Sequence, residues 1–198
     1  MNIIFDLGGV VFDWQPDKII RNALQDPKKR AVVKREVFEH PDWIDLDRGT
    51  LDMDLAIVRA MQRTGLSMSD LSLLLHSVAP SLTPLPHSFE LIQAMYASGQ
   101  PLYVLSNMFH AGAEHLEREY DILNLFEGLV FSCRINLVKP EPAIYEHLLN
   151  TYQLDPAQTV FIDDTPSNLV AAEKFGITGV HFLNFGQCRR ELESLGCL

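Results

Sequence analysis

Apolar residues along this chain come in short unbroken runs, separated by longer stretches where they recur every three or four positions. The runs are Ile3-Ile4-Phe5, Leu102-Tyr103-Val104-Leu105, Leu129-Val130-Phe131, Thr159-Val160-Phe161-Ile162 and Gly179-Val180-His181-Phe182. Runs this short, rich in β-branched and aromatic side chains, read as strands covered on both faces. Between them the period lengthens. Ser88 to Ser98 places Leu91, Ile92, Met95 and Tyr96 on one helical face, and Pro142 to Tyr152 does the same with Ile144, Tyr145, Leu148 and Leu149. Pro166 to Phe175 ends at Gly176, a residue suited to stopping a helix. Strand alternating with helix at this spacing predicts an α/β fold, with right-handed crossovers and a parallel, Rossmann-like sheet.

Residues 15–86 break the alternation. The stretch has no clear strand, and it carries helix-start signals at Asp26-Pro27 and at Ser67-Met68-Ser69-Asp70. A proline-punctuated segment, Ala79 to Pro86, leads back to the alternating pattern. The expected organisation is a core of residues 1–14 and 87–198, with a small helical cap of residues 15–86 inserted after the first strand.

Composition narrows the function classes. The chain has 198 residues and a formal net charge of -10. That balance argues against nucleic acid as a partner, because phosphate-backbone binding needs a basic face. It leaves room for a small phosphorylated ligand held at one local positive site. No apolar stretch approaches the ~18 residues needed to cross a bilayer, and the N-terminus lacks the basic start and small-residue cleavage site of a signal peptide. Cys133, Cys188 and Cys197 lack metal-site or redox spacing and read as free thiols of a cytoplasmic protein. The pattern leaves monomer and homodimer both open.

The chemistry is read from strand ends, because parallel sheets bind ligands beyond the carboxyl ends of their strands. Asp6 follows the first run and Ser106-Asn107 the second. Lys139-Pro140 lies in the loop after the third, and Asp163-Asp164 follows the fourth. Three carboxylates, one ammonium, one hydroxyl and one amide are thus expected at one edge of the sheet. In the cap, Trp43, Asp47 and Arg48 precede Gly49 in a polar-aromatic break between helical patterns, placed to meet a substrate.

These clusters, in this order, resemble the motifs of the haloacid dehalogenase superfamily, most of whose members are magnesium-dependent phosphatases. Asp6-Leu7-Gly8-Gly9-Val10 is similar to its first motif, Leu105-Ser106-Asn107 to its second and Lys139-Pro140 to its third. Phe161-Ile162-Asp163-Asp164-Thr165, with Asn168 after it, is similar to the fourth. Glycine at position 8 most resembles a small-cap sugar-phosphatase group that includes an α-D-glucose-1-phosphate phosphatase. The resemblance implies Mg²⁺ held by the Asp6 carboxylate, the Gly8 carbonyl and the Asp164 carboxylate, with Asp163 binding directly or through water. It implies Asp6 as nucleophile, Lys139 offsetting negative charge, Ser106 and Asn107 on the phosphate oxygens, and Asn168 orienting the metal ligands. Trp43 and Arg48 are expected to contact the rest of a small phosphorylated metabolite, a sugar phosphate first.

Gly8 is also the departure. Most phosphatases of this kind carry a second carboxylate there, which protonates the leaving oxygen. Asp13 is a candidate substitute; its other reading is a cap for the helix after Pro16. Two further functions stay open on the same fold, a non-catalytic or regulatory binding protein and a haloacid dehalogenase.

Overall fold

The computed structural model describes residues 1–198. Five parallel strands form one sheet in the order β3-β2-β1-β4-β5. They are β1 (Asn2–Phe5), β2 (Leu102–Ser106), β3 (Gly128–Phe131), β4 (Thr159–Asp163) and β5 (Thr178–His181). Each apolar run of the sequence is a strand, displaced by no more than a residue or so. The first strand lies at the centre, with Phe5 in register with Val104 on one side and Ile162 on the other. The residue after Phe5 therefore emerges at the middle of the sheet edge.

Twelve helices surround and extend the sheet. Those of the inserted region are α1 (Pro16–Ala23), α2 (Pro27–Val33), α3 (Pro41–Arg48), α4 (Met53–Thr64), α5 (Met68–His76) and the short α6 (Val78–Ser81), with a π turn at Lys34–Phe38. The rest are α7 (Ser88–Ala97), α8 (His110–Glu119), α9 (Ser132–Ile135), α10 (Pro142–Tyr152), α11 (Pro166–Glu173) and α12 (Phe185–Ser194). The expected start signals work as their chemistry dictates. Asp26 accepts a hydrogen bond from Lys28 N, and Ser67 accepts one from Asp70 N. No helix is long and apolar enough to cross a membrane.

One expectation changes. The polar-aromatic segment around Trp43 is a helix rather than a break. His40 Nδ1 accepts from Asp42 N at its start, Pro41 fills the first turn, and Gly49 at φ 77° closes the end. The low apolar content hid the helix, because its polar side chains go to ion pairs and the cavity rather than to solvent: Asp42 pairs with Arg59 and Arg63, Arg48 with Glu141, and Asp47 lines the cavity.

Strand alternation sends Ile3, Phe5, Val104 and Ile162 to one face of the sheet, and Ile4, Leu105 and Phe161 to the other. The second face packs on α10 and α11 through Ile144, Tyr145, Leu148 and Leu169. The first face is continuous with Ile57, Leu71, Leu74 and Leu75 of the inserted helices. Each fully buried Leu contributes about 1.5–3 kcal/mol, so the inserted helices are fastened by apolar area. The two segments that cross between the regions are also zipped together. Asp13 N donates to Thr83 O at 2.7 Å, and Leu85 N donates to Val11 O at 2.9 Å.

Candidate active site

The loop after β1 sets the geometry. Asp6 N donates to Ile162 O at 2.9 Å, which prolongs the sheet by one residue before the chain turns. The turn needs Gly9, whose φ is +78°. A Cβ built on Gly9 would collide with Asp164 Oδ2, so glycine lets the backbone approach that carboxylate. Gly8 has no such requirement. Its Cβ would make only ordinary contact, 3.7 Å from Trp14 Cβ.

Lys139 is the hub. Its ammonium lies 3.0 Å from Asp6 Oδ1 and 2.7 Å from Asp163 Oδ2, and its side chain is only 1% exposed. Its backbone is clamped by Asn107, which accepts from Lys139 N at 2.8 Å and donates to Lys139 O at 3.0 Å. The expected phosphate contact of Asn107 is thus joined by a positioning task that occupies its amide. Asp163 is wholly buried and accepts four bonds. They come from Lys139 Nζ, from Thr165 N at 2.7 Å, and from Asn168 Nδ2 at 3.1 and 3.0 Å to its two oxygens. Asn168 accordingly orients Asp163, and Tyr145 Oη holds the Asn168 carbonyl at 2.9 Å.

Charge is unbalanced here. Asp6, Asp163 and Asp164 bring carboxylate oxygens within 4.8 Å of one another, against one ammonium. Burial pushes the Asp6 carboxyl up to about 7; Lys139 opposes this, while Asp163 and Asp164 add to it. Asp164 is also raised, by burial first and then by Asp163. Burial pulls the Lys139 ammonium down, but Asp6 and Asp163 outweigh it and the net shift is upward. A hard divalent cation with oxygen ligands fits this surplus, and Gly8, the expected backbone-carbonyl ligand, lines the same cavity.

Two atoms await partners. Ser106 Oγ is buried at the end of β2 with no hydrogen-bond partner in the protein, a condition that costs ~1–3 kcal/mol. Both contacts of Asp6, from Leu7 N and Lys139 Nζ, fall on Oδ1, which leaves Oδ2 free.

Above the cluster lies a cavity of about 240 Å³. Asp6, Gly8, Asn107, Lys139, Asp164 and Asn168 are at its polar end, and Trp14, Trp43, Leu82, Met108 and Phe109 form its apolar walls. Trp43 lines it as expected, stacked on Trp14 with ring centroids 5.6 Å apart. Arg48 does not line it. Its guanidinium is bound by both Glu141 oxygens at 2.8 and 2.7 Å, which ties α3 to the start of α10. Asp13 is also outside, bonded to Gln15 at 2.8 Å and Lys18 at 3.2 Å, and it does not cap α1. Trp14 was not singled out in the sequence. Its signal was an aromatic residue four positions past the first motif, just before the helix start at Pro16. Asp47 does reach the cavity, because residues four apart share a helix face and Trp43 already faces it.

The chain has recognisable relatives. It is 26% identical over 195 residues to the sesquiterpene phosphatase astK of Aspergillus oryzae, covering 98% of this chain and 96% of that one. It is 23% identical over 202 residues to the D-ribitol-5-phosphate phosphatase of Bacteroides thetaiotaomicron, covering 96% of each. Its fold is similar to that of a HAD family enzyme from Bacteroides thetaiotaomicron solved with magnesium and inorganic phosphate. There the TM-score is 0.72 at 21% identity, over 91% of this chain and 92% of that one. A family model described as haloacid dehalogenase-like hydrolase matches residues 1–176, a span that includes every motif residue at the strand ends, and the chain belongs to that family.

Proposed function

We propose that this protein is a Mg²⁺-dependent phosphomonoesterase acting on small phosphorylated metabolites through an aspartyl-phosphate on Asp6. The observation that carries this reading is the pairing of a half-free nucleophile with a surplus of carboxylates. Asp6 Oδ1 is held by Leu7 N and Lys139, so the unengaged Oδ2 is the oxygen assigned to attack phosphorus. When bound, Mg²⁺ held by Asp6, Asp164 and the Gly8 carbonyl supplies the positive charge that lets a phosphate dianion approach a carboxylate. Lys139 stays protonated and stabilises charge on Asp6 and on the transferred group. Ser106 does not itself line the cavity, and its unpaired hydroxyl supports a contact with an equatorial phosphate oxygen reaching the end of β2, while Asn107 keeps Lys139 in place. Asp163 acts through Lys139, since the protein already occupies both its oxygens. Catalysis of this kind is mostly positioning and charge stabilisation.

The cavity bears on the substrate. Its volume of about 240 Å³ lies below the ~300–1,000 Å³ of pockets for drug-sized ligands, which favours a small organic part. A sugar phosphate suits it, with one ring face against Trp14 and Trp43 and hydroxyls toward Asp47. The apolar walls support a second reading, a phosphorylated terpenoid whose chain extends out of the mouth. The similarity to a sesquiterpene phosphatase points the same way. The protein is assigned to a reducing, cytoplasmic setting, in keeping with three buried free thiols.

The test is phosphate release from p-nitrophenyl phosphate with Mg²⁺ and with chelator, followed by parallel kcat/KM measurements on sugar phosphates and farnesyl phosphate. Magnesium-dependent turnover is expected. No release with Mg²⁺ would overturn the reading in favour of a binding or regulatory role, and chloride release from 2-chloropropionate would overturn it in favour of dehalogenation.

A further inference from the structure

Gly8 leaves the proposed reaction without a proton for the departing oxygen, and the cavity limits where one can come from. Trp14 stands against Gly8, so the space that a longer side chain there would enter is already walled by an indole. Among the ionisable groups lining the cavity, Asp6 and Asp164 belong to the charge cluster. The Lys139 ammonium is committed to Asp6 and Asp163. Asp47 remains.

Three features of Asp47 set it apart. It is buried, yet no ion pair reaches it. An uncompensated carboxylate in such a place is costly unless it carries a proton or serves a ligand. Its position is also fixed from below with unusual density. Ser132 Oγ donates to Asp47 O at 2.5 Å, Asn136 Nδ2 donates to Arg48 O at 2.9 Å, and Arg48 is locked to Glu141. Gly49 comes next at φ +77°, where a Cβ would collide with Cys133 O. Three consecutive residues of the inserted region are thus fastened to the core, and the first of them aims a carboxyl group into the site. Finally, burial pushes that carboxyl up to about 7, with Asp6 adding and the Phe109 backbone, Lys139 and Trp43 opposing. The charged and titratable groups around it are Asp6 and Lys139 from the core, the Cys133 thiol beneath the end of α3, His110 beside Gly49, and Asp45 and Arg48 on its own helix.

We propose that Asp47, delivered by the cap rather than by the first motif, is the residue that protonates the leaving oxygen and then activates water. The inference rests on the phosphatase reading above. In the first step an Asp6 oxygen bonds to phosphorus and the bond from phosphorus to the leaving oxygen breaks. Its electron pair stays on that oxygen, which takes the Asp47 proton. In the second step the Asp47 carboxylate takes a proton from water as the water oxygen bonds to phosphorus. The bond from phosphorus to Asp6 breaks, inorganic phosphate is released, and Asp47 is again protonated. Esters with acidic and less acidic leaving groups differ in how much they need the first of these transfers, which makes the role measurable.

The experiment uses the Mg²⁺-loaded protein, Asp47→Asn and Asp47→Glu, with p-nitrophenyl phosphate and phenyl phosphate followed in the pre-steady state. In the wild type the two esters react at rates within about tenfold of each other, because the proton equalises them. In Asp47→Asn, p-nitrophenyl phosphate gives a one-equivalent burst of nitrophenolate, because that leaving group needs no proton, and phosphorylated Asp6 then accumulates for want of a base. Phenyl phosphate gives no burst, and its first step slows by ~10²-fold or more. Asp47→Glu recovers part of the loss on phenyl phosphate. The burst itself demonstrates a folded, competent site. Equal losses on both esters, no loss on either, or no burst on p-nitrophenyl phosphate would each overturn the assignment to Asp47. So would a wild type that already discriminates steeply between the esters. A wild type inactive on both esters fails the phosphatase reading itself and is told apart by that result alone.

Discussion

The two ends of α3 carry the two kinds of buried carboxylate found in this molecule. At the N-terminal end, Asp42 is met by Arg63 at 2.7 Å, by Arg59 at 3.3 Å and by His40 at 3.7 Å. Burial alone would raise its pKa, but the two guanidinium groups and His40 outweigh it and hold the carboxyl below its ordinary value. At the C-terminal end, Asp47 has no cation and is raised to about 7. Asp6 and Asp164, across the cavity, are raised as well. One helix thus separates an acid held by direct ion pairs from an acid with no ion pair, which Lys139 reaches only at a distance. The first arrangement holds the inserted helices together. The second stores unfavourable charge where a ligand can relieve it.

The sharpest way to break this comparison is at the nucleophile. Asp6→Asn is expected to lower kcat by about 10³-fold or more while leaving the melting temperature in chelator unchanged or higher. More than a few per cent residual activity in the purified variant would remove Asp6 from its role. The next effect is on stability, and its sign separates the two ends of α3. A carboxyl with a raised pKa contributes most below its unfolded value, and stability then declines as pH climbs from about 4 toward 7, where the folded group finally ionises. Asp47→Asn removes that decline, so the variant gains up to ~4 kcal/mol at pH 8 and little at pH 4, as denaturant titrations at both pH values would reveal. A loss at pH 8 would make Asp47 a structural residue like Asp42. Arg63→Ala, which strips Asp42 of its nearest partner, is expected to cost about 1–3 kcal/mol at neutral pH. Because the Asp42 pKa is depressed, that cost fades as pH falls through the depressed value. Asp164→Ala is expected to raise the melting temperature in chelator by a few degrees and to weaken Mg²⁺ binding measured by calorimetry; a sharp drop would identify a cap of α11 instead. Arg48→Ala is the mildest. Its pair with half-exposed Glu141 contributes ~0.2–1 kcal/mol, and a much larger loss would mean that the clamp fastens more than one helix end.

Strand positions and site residues were legible to different degrees, for reasons that particular residues make plain. Continuous apolar runs identified all five strands; β1 to β4 are buried on both faces and leave little polar sequence to confuse the pattern, while the edge strand β5, with Thr178 exposed, was carried by Val180 and its neighbours. Asp6, Lys139, Asp163 and Asp164 were legible because a parallel sheet gathers the residues just beyond its strands at one edge. The lining of the cavity from the inserted region was only half legible. Trp43 and Asp47 were noticed by composition, but the helix that aims them was not, since the polar residues of α3 are buried in ion pairs or the cavity and leave no plain apolar stripe. Arg48 is adjacent in sequence yet turns toward Glu141, because a residue one step along a helix is rotated by about 100° from its neighbour. Asn107 and Asp163 were identified as site residues, but their tasks depend on reciprocal bonds to Lys139 and Asn168 that the local sequence around them does not betray.

The continuous apolar cluster that joins the inserted helices to the first face of the sheet has a kinetic consequence. A large hydrophobic junction resists hinge motion, so the cavity mouth is expected to keep one width as ligands enter and leave. On that expectation substrates are sieved by size at a fixed aperture, and products depart without waiting for a domain to open. Turnover should therefore be insensitive to added viscogen, which places the slow step in bond breaking rather than in diffusion through a gate.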